Sequence, residues 1–337
     1  MKRLGIICPS EIAFRRFLPA LKEAGCFEYA GVAIASKEEF VGATDEILAK
    51  ERSKAQTFVD SYGGRIFEGY DTLIHSSDVD AIYLPLPPGL HYKWAKEAAS
   101  AGKHILVEKP CTTALSTTVD LLNEAKNKGL AVHENYMFAF HAQLEAVNDI
   151  LGSGEIGDVR LYRISFGFPL RAQNDFRYNK ALGGGALLDC GGYTFRYASL
   201  LLGPTAKMKY AQSNRIEGFD VDMYGSAALV NDAGVTAQVA FGMDHNYKCE
   251  LEVWCSKGTL YTNRILTAPT GFSPEVIIRK GNEDEKRFLP ADDAFKKSIL
   301  HFCRCVEDPG VRTTNYQTLL NQAQLVEDFK ALSGLNA

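Results

Sequence analysis

Residues 102–110 read G-K-H-I-L-V-E-K-P. Ile105, Leu106 and Val107 make a short apolar run of the kind buried on both faces of a sheet, and the run stops at an acid, a lysine and a proline. Open α/β sheets bind their ligands beyond the C-terminal ends of the strands, so Glu108 and Lys109, ahead of a rigid turn at Pro110, stand where chemistry is expected. Working outward, the runs at 4–8, 30–35, 81–84 and 130–133 share this two-faced apolar character. Between them, 12–24, 47–61, 91–101 and 117–128 place apolar residues at helical spacing. Strands separated by helices imply a parallel, doubly wound sheet, because parallel neighbours need a crossover.

After Phe138 the grammar changes. One amphipathic helix to Leu151 is followed by a long strand at 159–168, then by glycines at 183–185 that open a helix at 186–202. From Ala206 onward strands follow one another directly. Val235, Ala237, Val239 and Phe241 alternate with Thr236, Gln238 and Ala240, and Leu251, Val253 and Cys255 alternate with Glu250, Glu252 and Trp254. Alternation of period two describes a sheet with unlike faces, and strands in direct succession favour antiparallel pairing. Two helices, at 294–306 and 316–332, close the chain. The expected fold class is α/β: a doubly wound parallel sheet over 1–136, then an α+β domain over 137–337 on a large, mostly antiparallel sheet.

The 337 residues are too many for one ordinary core and fit two domains. With 46% hydrophobic and 23% charged residues and a formal net charge of -4, the chain has the composition of a soluble globular protein. It has no general attraction for nucleic acid or an anionic membrane. No stretch approaches the roughly 18 apolar residues of a membrane span, and residues 1–8 enter a strand pattern without an apolar signal core. The eight cysteines are scattered and lack zinc-ligand spacing. They read as reduced thiols of a cytoplasmic protein, and no cluster calls for a metal.

A dinucleotide-binding fold needs a tight turn after its first strand, where backbone N–H groups and a helix N-terminus meet the pyrophosphate. Here the turn is Cys8, Pro9, Ser10, Glu11, Ile12, Ala13; with Gly5 taken as the strand residue, the fingerprint glycines are replaced by Cys8, Ser10 and Ala13. These replacements are small, Ser10 adds a hydroxyl, and Arg15 and Arg16 follow. A guanidinium can supply charge that a glycine loop leaves to the helix dipole. A modified pyrophosphate loop is expected; in the plainer reading the arginines only solvate a helix face. The second strand ends Ala35, Ser36, Lys37, where NAD-specific folds carry an acid for the ribose 2′-OH. A hydroxyl and a cation suit a 2′-phosphate, so NADP is expected ahead of NAD. Arg52 is a second candidate cation, while Glu38 and Glu39 pull the other way.

Five marks make the chain resemble the glucose-fructose oxidoreductase/inositol dehydrogenase superfamily nearly end to end: D-V-D-A-I-Y-L-P-L-P from Asp78, the following His91, G-K-H-I-L-V-E-K-P from Gly102, G-E-I-G-D-V-R from Gly154 and G-G-G-A-L-L-D from Gly183. Within it, I-A-F-R-R from Ile12, P-L-P from Pro85, E-N-Y-M-F from Glu134, D-C-G-G-Y from Asp189, G-V-T-A-Q-V-A-F-G-M-D-H from Gly234 and N-R-I-L-T from Asn263 are similar to segments of the nucleotide-sugar 3-ketoreductases of deoxysugar biosynthesis. The resemblance implies a Rossmann domain followed by a domain with a large open sheet. In many members that sheet packs against another subunit, so a homodimer or homotetramer is implied. Cofactor contacts from Leu84, Pro85, His91, Asn135 and Tyr136 are implied as well. The chain departs from the superfamily at the glycine loop and at Tyr193, where a histidine is frequent; the sugar ketoreductases and the dihydrodiol dehydrogenase branch also place tyrosine there.

Hydride transfer to a ketone leaves negative charge on the carbonyl oxygen, so the site needs a proton donor and a nearby cation. Lys109 is the candidate cation. Tyr193 is the candidate donor, since an adjacent ammonium eases ionisation of a phenol. Asp189, four residues before Tyr193, falls about 40° from it on an ordinary helix and would orient Lys109 or bind a sugar hydroxyl. Each has a plainer reading: Tyr193 as a core aromatic, Asp189 as a helix-terminal acid, His91 as a helix cap, and Glu108 as a surface partner of Lys109 instead of a contact for the nicotinamide carboxamide. For the substrate, Gln173, Asp175, Arg177 and Tyr178 form a polar, aromatic loop, and His245, Tyr247, Asn263 and Arg264 lie at strand ends. Arginine and aromatic side chains can hold a pyrophosphate and stack a base. The expected activity is NADP-dependent reduction of the 3-keto group of a nucleotide-linked hexose. The alternatives are oxidation of a free sugar or cyclic diol, and a non-catalytic dinucleotide or sugar-nucleotide sensor.

Overall fold

The computed structural model describes residues 1–40 and 42–335, which form two compact units. The first comprises Met1–Asn135 and Phe295–Leu320, the second Tyr136–Ala294 and the residues from Asn321 on.

The first unit is built on β1 (Lys2–Ile7), β2 (Phe27–Ile34), β3 (Arg65–Glu68), β4 (Ala81–Leu84), β5 (His104–Val107) and β6 (Val132–Glu134). All pair in parallel, in the order β3-β2-β1-β4-β5-β6. The direction of winding reverses between β1 and β4, which is where a doubly wound sheet opens its ligand crevice. β4 is buried at every residue, as its apolar run requires. The crossovers are α1 (Leu18–Ala24), α2 (Asp45–Tyr62), α3 (Tyr70–Ile74), α4 (Pro88–Ser100) and α5 (Leu115–Lys128). Local chemistry sets their ends. The Thr44 hydroxyl accepts from Ile47 N–H at the start of α2, with Asp45 and Glu46 in the first turn, and Gly129 takes a left-handed φ of 66° to stop α5. Two short neighbours escape the sequence pattern, β3 and α3: of the four residues of β3 just Phe67 is buried, so an edge strand leaves no two-faced run to read, and α3 has only five residues.

The second unit begins with α6 (Ala142–Gly152) and β7 (Val159–Gly167). One π-helical turn, Leu187–Gly191, then runs into α7 (Gly192–Leu202). The strands β8 (Lys207–Asn214), β9 (Tyr224–Val230), β10 (Thr236–Gly242), β11 (Lys248–Cys255), β12 (Thr259–Asn263), β13 (Glu275–Lys280) and β14 (Glu283–Phe288) follow without intervening helices. With β7 they form one eight-stranded sheet in the order β14-β13-β12-β11-β7-β10-β9-β8, parallel only between β7 and β10. Ala237, Val239 and Phe241 of β10 bury their face in a core shared with Phe195 and Ala198 of α7. The opposite face carries Tyr210, Arg163, Gln238 and Trp254 toward solvent.

Two helices close the chain, α8 (Ala294–Glu307) and α9 (Pro309–Ser333). The expected boundary assigns both to the second domain, but nearly all of α8 and the first half of α9 belong to the first unit. The reason is specific contact. Phe302 is fully buried and stacks on Phe27 at 5.4 Å, the Tyr316 hydroxyl donates to the Leu130 carbonyl, and Asn315 Nδ2 donates to the Val132 carbonyl at 2.6 Å. Among the described residues no helix is long and apolar enough to cross a membrane.

Candidate active site

β5 delivers Glu108 and Lys109 to the C-terminal edge of the first sheet, between β4 and β6. The ladder continues one step beyond the strands, with Glu108 N–H bonded to the Leu84 carbonyl at 3.1 Å and Asn135 N–H to the Val107 carbonyl at 2.9 Å. The Glu108 carboxylate is buried, and its Oε1 accepts from the Tyr83 hydroxyl and from Asn135 Nδ2, each at 2.7 Å. Burial pushes its pKa up, opposed by those two donors. Glu108 is thus an oriented interior group, not a surface partner of Lys109. Tyr83 is itself held, stacked on Phe17 with centroids 3.8 Å apart.

Lys109 is half-buried and is joined to Pro110 by a cis peptide bond. Two groups grip the turn that follows. Cys111 N–H donates to Glu134 Oε1 at 2.6 Å, and the Pro110 carbonyl lies 2.7 Å from His91 Nδ1. The other nitrogen of His91 lies 2.7 Å from the Leu86 carbonyl. Burial pushes this ring down to about 4, so at neutral pH it carries one proton and donates to one of the two carbonyls. The expected cofactor contact from His91 is therefore corrected: the fully buried ring bridges the turns after β4 and β5 with both nitrogens against protein. Leu84 is likewise corrected, being fully buried in the core with no side-chain surface to offer, and Pro85 is buried beside it.

After β1 the chain turns sharply at Cys8, whose φ is 78°. A residue with a Cβ rarely adopts that left-handed conformation, so the loop keeps a glycine-type backbone although the glycines are gone. Ser10 Oγ accepts from Ala13 N–H at 3.2 Å, the bond of a helix cap. Burial pushes the Cys8 thiol up to about 12, leaving a neutral, small side chain at the bend. Arg15 pairs with Glu11 at 2.7 Å on the exposed helix face, Ile12 is exposed beside them, and Arg16 lies over the Phe295 ring at 5.5 Å. Shape and small side chains fit this turn to a pyrophosphate.

Beyond β2, the Glu39 carboxylate accepts three backbone N–H groups, from Ser36 at 2.7 Å, Tyr70 at 2.9 Å and Asp71 at 2.8 Å. An acid consumed in anchoring its own loop does not repel a 2′-phosphate as a projecting one would. Lys37 is exposed and pairs with Asp45 at 2.7 Å, and Arg52 pairs with Glu68. Such surface pairs hold weakly and exchange readily for a phosphate.

In the second unit Tyr193 rises from the first turn of α7 into a ring of aromatics: Tyr136 edge-on at 5.1 Å, Phe138 at 5.5 Å and Phe166 at 5.3 Å. Tyr136 accordingly belongs to this unit and not to the first domain, and it is buried as packing for Tyr193, its hydroxyl accepting from Gln322 Nε2 at 3.3 Å. Asp189 lies in the π-helical turn, so the ordinary helical spacing to Tyr193 does not hold. Its Oδ2 accepts from Arg177 Nε at 2.6 Å, while Arg177 Nη1 reaches Asp175 Oδ1 at 3.1 Å. Burial works against the charge on Arg177, yet Asp189 and Asp175 hold its pKa above the usual value. Arg177 is thereby an internal bridge between two carboxylates. Nearby, the Tyr178 hydroxyl accepts from Arg171 N–H at 2.7 Å, and Gln173 is exposed.

At the far strand ends the Arg264 guanidinium lies 4.6 Å from the centre of the Tyr247 ring and donates to its hydroxyl at 3.1 Å; that hydroxyl also meets Thr267 Oγ1 at 2.6 Å. Arg264 has a φ of 56°, and it and Cys8 are the non-glycine residues with left-handed backbone among the described residues. His245 is exposed with its ring 6.0 Å from that of Tyr224, and the Asn263 carbonyl accepts from Gln143 Nε2 at 2.9 Å.

A further group eluded the sequence. Asp222 is buried, and its Oδ2 accepts from Leu187 N–H at 2.6 Å, holding the start of the helix that carries Asp189 and Tyr193. A Cβ at Gly185 would come within 2.2 Å of the other carboxylate oxygen, and that residue has a φ of 115°, so only glycine fits. Burial pushes Asp222 up to about 6.

Residues 16–136 match the oxidoreductase family with an NAD-binding Rossmann fold, and residues 144–261 match the GFO/IDH/MocA C-terminal domain. Across 99% of its length the chain is 38% identical to a dTDP-3,4-didehydro-2,6-dideoxy-alpha-D-glucose 3-reductase of Streptomyces violaceoruber, 96% of which is covered. It is 29% identical, over 90% of its length, to D-xylose 1-dehydrogenase (NADP(+)) 2 of Haloferax volcanii, 88% of which is covered. Among solved structures, a 3-ketoreductase from Actinomadura kijaniata in complex with NADP and TDP-benzene aligns with a TM-score of 0.90 at 38% identity, covering 98% of this chain and 97% of that one.

Proposed function

The chain belongs to the Gfo/Idh/MocA oxidoreductase family, and from that membership we propose that it is an NADP-dependent reductase of the 3-keto group of a nucleotide-linked deoxyhexose. The observation that carries this reading is the end of β5, where a buried carboxylate fixed by two donors directly precedes Lys109. Relatives at 38% identity act on a dTDP-linked keto sugar. Variants of the Actinomadura kijaniata enzyme alter one lysine and one tyrosine that are as far apart in its chain as Lys109 and Tyr193 are in this one.

Bound NADPH supplies the hydride. The turn at Cys8, with Ser36 and Lys37 beyond β2, would hold its phosphates. Lys109 stabilises the negative charge that forms on the substrate's carbonyl oxygen, and the Tyr193 hydroxyl gives that oxygen its proton. The surrounding aromatic rings restrict the phenol to one orientation, and the Arg177 bridge holds Asp189 for a sugar hydroxyl. Tyr247 and Arg264, a flat cation on a ring, suit a nucleobase and a diphosphate.

The experiment is single-turnover oxidation of bound NADPH by a dTDP-linked 3-keto hexose. Tyr193→Phe is expected to slow the step by about 10²–10⁴-fold while leaving NADPH affinity within about twofold. Chemistry at the parental rate removes Tyr193 from this role. Oxidation of free sugars with NADP as the faster reaction would move the assignment to the xylose dehydrogenase type. As partner, a second copy of the chain is proposed to cover the outer face of the eight-stranded sheet, where Trp254 lies beneath the Arg163 guanidinium at 4.7 Å and Tyr210 is exposed.

A further inference from the structure

We infer that Ser298 and His133 are positioning residues for the reaction: they lock the carboxamide of Asn135 and, through it, the Glu108 carboxylate next to Lys109. The inference rests on the reading of the Glu108–Lys109 turn as the reacting end of the first sheet.

The chain of contacts is continuous and lies wholly within the first unit. Asn135 Nδ2 donates to Glu108 Oε1 at 2.7 Å, Ser298 Oγ donates to Asn135 Oδ1 at 2.8 Å, and His133 Nε2 lies 2.9 Å from Ser298 Oγ. Beyond the histidine, Asn315 Oδ1 is 3.4 Å from His133 Nδ1 and 3.4 Å from His301 Nε2, and Arg304 Nη2 is 3.4 Å from His301 Nδ1. Ser298, His133, Asn135 and Asn315 are all buried, and the row reaches the exposed side of α8 only at its far end.

Each link dictates the next. Oε1 of Glu108 is an acceptor, so the Asn135 amide must turn its NH₂ toward it and its oxygen toward Ser298. The serine spends its one proton on that oxygen, and therefore accepts from a proton on His133 Nε2. Asn315 cannot flip, because its Nδ2 donates to the Val132 carbonyl at 2.6 Å. A single rotamer of Asn135 is thus selected from α8, more than 160 residues away in sequence.

Packing alone does not account for the row. Phe302 stacks on Phe27 at 5.4 Å, so the same helix-to-sheet contact is also made by apolar rings. Interior polar groups cost stability, and the bonds among Glu108, Asn135, Ser298 and His133 Nε2 fix geometry in return. This one ends on the carboxylate of the candidate site.

The test uses the full chain loaded with NADPH and compares Ser298→Ala, Ser298→Thr and His133→Phe with the parent. Two readouts are taken: kcat and KM for the keto sugar, and the emission spectrum of bound NADPH. Ser298→Ala and His133→Phe are expected to lower kcat about tenfold with the sugar KM within about twofold, and to shift the NADPH emission. Ser298→Thr, which keeps the hydroxyl, restores both. Parental kcat and parental emission in Ser298→Ala overturn the inference. So does an equal loss in Ala and Thr accompanied by a lower melting temperature, which would make the row a fold-maintaining feature. If the parent reduces no keto sugar, the functional proposal fails, and the emission comparison still decides this one.

Discussion

Cys8 shows how much a single backbone angle carries. At a φ of 78° it pays the steric penalty of a side chain in left-handed conformation, roughly 1 kcal/mol. Cys8→Gly should therefore be more stable than Cys8→Ala by about that amount, since both lose the thiol and only one keeps a Cβ; equal melting temperatures would contradict a strained bend. At the end of β2, Lys37→Glu is expected to raise the KM for NADPH about tenfold and leave that for NADH nearly unchanged, measured in the keto-reduction assay. The places of Glu108 and Lys109 just after β5 and of Tyr193 on α7 were legible in the sequence because each sits in a motif with fixed order. The Arg177 bridge, the three N–H groups on Glu39 and the burial of His91 were not, because their partners are chosen by tertiary approach and leave no spacing behind.

Elements divide in the same way. Strands buried on both faces stood out, and the bounds of β4 agree with its apolar run. β3 hid because an edge strand with exposed Arg65 and Glu68 looks like a loop. The π-helical turn at Leu187–Gly191 hid because its residues read as ordinary helix. Asp222, which holds the entry to that turn, makes the element sensitive to pH. Its folded value of about 6 stands above the ordinary aspartate value of 3.8, so the folded state holds the proton more tightly. Stability from this group is complete below pH 3.8 and is lost as pH rises through 6, a change of about 3 kcal/mol. Asp222→Asn, which does not ionise, should gain on the parent by several degrees of melting temperature between pH 4 and pH 7. A gap constant across that range would refute the assignment.

On the scale of the whole molecule, the fold class was readable from the switch between helix-separated and consecutive strands, and the eight-stranded sheet follows the alternation seen in β10 and β11. The proposed self-association is tested at this scale. Trp254→Glu combined with Tyr210→Glu should reduce the sedimenting mass to that of one chain, whereas an unchanged mass would place the subunit contact elsewhere. The boundary was less legible, since nothing in α8 announces that Phe302 and Asn315 will complete the first unit. That return of the chain has a bearing on biosynthesis. A ribosome releases residue 135 long before residue 320, so the coenzyme-binding half must wait, with Phe27 and β6 uncovered, until almost the entire polypeptide has emerged. Truncation after β6 would yield an aggregation-prone fragment, and any chimera that exchanges this half must take both stretches together.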